Sequence, residues 1–148
     1  MRKAARYLIV YAMWIVNMAL SMWLFYLTRT SALGILALFS GSGDFQYSKT
    51  VNLVDRILVV VLGLGWLIFS IFTEEYFRSG ALKENFLKRI ARITGPLLLC
   101  IFVVDLIFFW LLGVGGGDWM RWLILALELG AGLALVVFSR KEVINKPN

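Results

Sequence analysis

Three polar side chains sit inside long apolar runs. Asn17 lies in MRKAARYLIVYAMWIVNMALSMWLFYL, Asp105 in PLLLCIFVVDLIFFWLL and Glu128 in WLILALELGAGLALVVF. A carboxylate at the centre of a bilayer costs about 2.5–3.5 kcal/mol on insertion scales, so neither acid is expected to face lipid. Two carboxylates with an amide carbonyl form a set of hard oxygen ligands for a cation. Two carboxylates that meet in low dielectric hold one shared proton. The functional reading of Asn17, Asp105 and Glu128 is therefore a proton or cation relay. The structural reading makes them hydrogen-bonded packing points, or partners for a Lys or Arg of another subunit. No basic residue of this chain is expected at their depth. Arg121 precedes Glu128 by seven residues, about 10 Å along a helix, and is expected to reach outward to the interface.

Other chemistry is narrowed by what the chain lacks. It has no histidine and one cysteine, Cys100. The usual haem ligand, the commonest zinc ligand and the usual general base are missing, and no intrachain disulfide or cysteine-pair metal site can form. No metal is expected. Met13, Met18, Met22 and Met120 are read as packing residues, and Cys100 as a small buried hydrophobe. The GVGGGDW segment lacks the spacing and lysine of a phosphate-binding loop. Phe102, Phe108, Phe109 and Trp110 make one run bulky. Packing is their first reading; contact with a bound lipid, quinone or pigment stays open. No cofactor is expected and no motif names a reaction.

The elements that must carry these residues follow from composition. Of 148 residues, 61% are hydrophobic and 16% charged, against roughly 25% charged in ordinary soluble domains. Lipid accommodates that excess of apolar side chain, and a water-soluble core of this size does not. Four transmembrane helices are expected, at about 7–27, 53–73, 95–112 and 119–138. The fold class is an all-α membrane bundle of two helical hairpins, forming a single integral membrane domain. Residues 28–52 form a linker, in which Ser31–Phe39 is apolar but too short to span. It is read as a dip into the interface, a helical extension or a packing segment. An amphipathic segment joins helices 2 and 3: Leu82, Phe86, Ile90 and Ile93 recur at three- to four-residue spacing, with Lys83, Lys88, Arg89 and Arg92 between them.

Midpoint counting on these spans puts Asn17, Asp105 and Glu128 at one depth, facing Gly63 and Gly65 of helix 2. Those glycines are expected to admit a close neighbour helix. Ala126, Gly130 and Ala134 form a small-residue stripe suited to close packing, on a different face from Glu128.

Charge orients the bundle. Arg2, Lys3, Arg6, Arg78, Lys83, Lys88, Arg89, Arg92, Arg140, Lys141 and Lys146 fall on the side of the termini and of the 2–3 connection. Arg29, Lys49, Arg56 and Arg121 fall on the other. The positive-inside rule makes the richer side cytoplasmic, and the compact connections suit a bacterial inner membrane. The basic residues are read as topological charge beside anionic lipid headgroups, with no nucleic acid as partner. The leading expectation is a non-catalytic accessory subunit of a larger membrane complex, with other membrane subunits as partners. Its support is that the embedded polar groups lack partners within the chain. The alternative is a small transporter or a proton- or ion-coupled component working through Asp105 and Glu128.

Overall fold

The computed structural model of the chain describes residues 3–39, 45–80, 86–112 and 119–140. They form four helices: α1 (Lys3–Phe39), α2 (Phe45–Gly80), α3 (Phe86–Leu112) and α4 (Trp119–Arg140). Each is long and apolar enough to cross a membrane, with spans of 32, 32, 24 and 22 residues. The chain is thus an all-α, multi-pass bundle of membrane-spanning type. Its outer face carries large apolar side chains such as Leu8, Ile71, Phe72, Trp110 and Leu127, which suits hydrocarbon and not water.

The helices are longer than the sequence predicts. α1 has 37 residues, about 55 Å at the helical rise. Ser31–Phe39 is the helical extension among its three readings. A stretch rich in Leu and Ala continues an existing helix without a new nucleation cost. The expected linker of 28–52 is cut from both ends, because α2 begins at Phe45. The amphipathic segment also changes: residues 74–80 complete α2, and 86–92 open α3. Lys83 and Leu82 lie outside the described residues, as do the two-glycine polar stretch after Phe39 and the glycine turn before Trp119.

Packing follows an order α2–α1–α3–α4. α1 lies against α2 and α3, α2 meets α3 only briefly, and α4 packs on α3 alone among the described helices. Val10, Phe77 and Ile90 form one buried cluster, and Leu27, Leu97 and Ile101 another. The α3–α4 crossing is built on glycine. A Cβ at Gly132 would lie 2.9 Å from Leu99, and one at Gly95 would lie 2.9 Å from Val136. By contrast, a Cβ at Gly63, Gly65 or Gly130 would meet nothing within 4 Å. Among the described residues no helix presses on Gly63 or Gly65, so the close neighbour expected of them is not supplied by these four helices. Ala126, Gly130 and Ala134 face outward.

Candidate functional site: polar pairs within the apolar bundle

Several embedded polar residues are held by their own helix and answered from a neighbour. Asn17 is fully buried at 0% exposure. Its Nδ2 donates to the Met13 carbonyl at 2.9 Å, and its Oδ1 accepts from Thr94 Oγ1 of α3 at 3.1 Å. One turn on, Ser21 Oγ accepts from Trp66 Nε1 of α2 at 3.0 Å and donates to the Met18 carbonyl at 2.9 Å. Two turns further, Arg29 meets Asp55 through two bonds, Nε to Oδ1 at 2.6 Å and Nη2 to Oδ2 at 2.8 Å. This fork geometry is the strong form of a carboxylate pair. Residue numbers rise on α1 as they fall on α2, so these two helices run antiparallel.

On the other side of the bundle, Arg121 Nη1 donates to Asp105 Oδ1 at 3.0 Å. Asp105 is 4% exposed. The Arg121 guanidinium also lies 5.9 Å from the Phe108 ring centre, and Phe109 meets Trp122 edge-on with centres 5.1 Å apart. Arg121 therefore turns into the bundle, which corrects the expectation that it reaches outward. Asp105 thereby has a basic partner from α4, the helix that also carries Glu128.

The α3–α4 register sets Gly132 against Leu99 and Gly95 against Val136. This places Glu128 within about two residues, roughly 3 Å along the axis, of the level of Asp105. Asn17 lies at the level of Thr94, well before Asp105 on α3, so the three do not gather into one cation cage. No group of three or more Cys, Asp or Glu side chains placed to hold a metal occurs among the described residues.

Glu128 is the group left over. It sits on the α3-facing side of α4 with Arg121, Leu125 and Gly132, at helical spacing from each. Its Oε2 is buried and has no hydrogen-bond partner. The Ser31 hydroxyl is the other such atom among the described residues. A carboxylate so placed is costly in its charged, unpaired form. Taking up a proton or a cation removes that cost.

Two features escaped the sequence reading. Thr94 carries no pattern that marks it as the partner of Asn17, because the pair joins residues 77 apart. Cys100 is exposed, not buried, and lines a cleft of ≈ 680 Å³ between α1, α2 and α3 with Gly65 and Trp66.

What stands plainly is a helical membrane protein that holds, among the described residues, the ion pairs Arg29–Asp55 and Arg121–Asp105 and a glutamate whose buried Oε2 has no hydrogen-bond partner. Compared with known proteins, the chain matches no family model, no curated protein and no solved structure.

Proposed function

We propose that the chain is a small proton-coupled membrane component, a transporter or part of one, in which Glu128 is the group that gains and loses the proton. The observation that carries this reading is the buried, unpartnered Oε2 of Glu128 near the centre of the apolar span Trp119–Arg140. Asp105 and Arg121 form an ion pair on the same α3–α4 interface, so Arg121 is already engaged by another carboxylate. Ionisable residues in such positions mark ion and proton pathways in membrane proteins.

The accessory-subunit reading loses its main support, because Asn17 and Asp105 find partners within the chain. A separate observation keeps it as the second reading. Among the described helices α4 packs on α3 alone, and its outer stripe of Ala126, Gly130 and Ala134 is exposed, a surface that fits a close helix of another subunit. On either reading we place the chain in a bacterial inner membrane with both termini cytoplasmic, as the distribution of Lys and Arg favours.

The test is proton uptake by liposomes loaded with a pH-sensitive dye, under an imposed potential. The wild-type chain raises uptake above that of empty liposomes. Glu128→Gln returns it to the empty-liposome rate, while Glu128→Asp retains part of it. Equal uptake by wild type and Glu128→Gln would overturn the proposal. Loss of a co-purifying membrane protein on introducing Leu at Gly130, with uptake absent throughout, would establish the second reading instead.

A further inference from the structure

α2 and α3 touch only briefly, and the space between them is open to the side. The apolar cleft of ≈ 680 Å³ runs past Leu24, Val61, Gly65, Leu97 and Cys100. A second hollow of ≈ 610 Å³ adjoins it and shares Phe69, Arg92 and Ile93 with it. Thr73, Glu75, Tyr76 and Ser79 line this second part. The groove is therefore oily at the bundle's middle and more polar towards the end where α3 begins.

Arg92 stands where the two parts join. It is exposed, and it makes no hydrogen bond or ion pair among the described residues. Its Cα lies roughly 10 Å from the centre of the span Leu87–Trp110, at the helical rise. A helical side chain leans towards its helix's N-terminus, so the guanidinium is directed to the nearer membrane surface, within reach of headgroups. Arg78, Lys88 and Arg89 stand at the same end, against Glu74 and Glu75. The local balance is positive, and an arginine fork matches a phosphate in geometry and charge.

We infer that this groove is a binding site for one anionic phospholipid, with its phosphate on Arg92 and an acyl chain in the cleft over Gly65. The floor of the cleft explains Gly65: a side chain there meets no protein atom within 4 Å and would occupy the space of the acyl chain. The site does not involve Glu128, so it stands or falls apart from the proposed proton chemistry.

Native mass spectrometry of the full chain in mild detergent, titrated with phosphatidylglycerol or phosphatidylcholine, tests it. The wild type takes up one phosphatidylglycerol about fivefold more tightly than phosphatidylcholine, the margin of one arginine at a lipid surface. Arg92→Gln binds both lipids alike. Gly65→Leu loses the first bound lipid of either type. Gly130→Leu, which also enters open space but on another helix, serves as the control and binds as the wild type does. Gel filtration confirms that each variant remains folded. Equal binding of the two lipids by the wild type, or unchanged binding by Gly65→Leu and Arg92→Gln, would overturn the inference.

Discussion

Asp105 and Arg121 show how strongly one geometric fact can change the meaning of a residue. As an isolated carboxylate in an apolar run, Asp105 invites a search for a ligand. With the Arg121 guanidinium 3.0 Å away, it is half of an internal pair. The Asp105 side chain is 6% exposed and that of Arg121 is 29% exposed, against 27% and 38% for Asp55 and Arg29. Removing one partner of a buried pair leaves the other charged and unpaired, at a cost of about 3 kcal/mol or more. Asp105→Asn and Arg121→Gln are each expected to lower unfolding stability in detergent by that order. The double variant should lose less than the two single losses together. Strict additivity in that cycle would mean the two side chains do not interact. Arg29→Gln should cost less than Arg121→Gln and respond more to salt, because its pair is better solvated.

Helix packing divides the glycines into two kinds that look alike in the sequence. Gly95 and Gly132 let α3 and α4 approach where a Cβ would crowd the opposing helix. Gly65 and Gly130 face open space. Gly132→Leu is expected to destabilise the α3–α4 contact by about 1–3 kcal/mol through overpacking, and Gly130→Leu to leave the stability of the isolated chain unchanged. Thermal melts followed by circular dichroism distinguish them, and a loss at Gly130 as large as that at Gly132 would refute the assignment. The stripe at Ala126, Gly130 and Ala134 was visible in sequence as a spacing. Which of the two α4 faces meets α3 was not. Buried Leu125, Gly132 and Ser139 settle that it is the face of Arg121 and Glu128.

At the scale of the whole molecule, the helices form an open series, α2–α1–α3–α4, and not a closed square. A closed bundle would press α4 on α1 or α2; here, among the described helices, α4 touches α3 alone. The orientation proposed from Lys and Arg positions makes a direct prediction. Reporter fusions at both ends should be active only for a cytoplasmic reporter, and a fusion between α1 and α2 only for an external one. Opposite signals from the two ends would contradict four crossings.

The sequence by itself determined the class of solvent, the number of crossings and the presence of costly polar groups. These depend on composition and run length, which are local properties read against a hydrocarbon thickness of about 30 Å. It placed Glu128 near the middle of the apolar span Trp119–Arg140 of α4. α3 starts at Phe86, nine residues before the Gly95 that the sequence suggests, so counting from span ends does not set how α3 and α4 align. Only tertiary structure decided that Asn17 meets Thr94, that Asp105 meets Arg121, and that Gly65 lines a cleft instead of a helix contact. Such pairings depend on helix register and rotation between segments distant in the chain, and no local pattern encodes either.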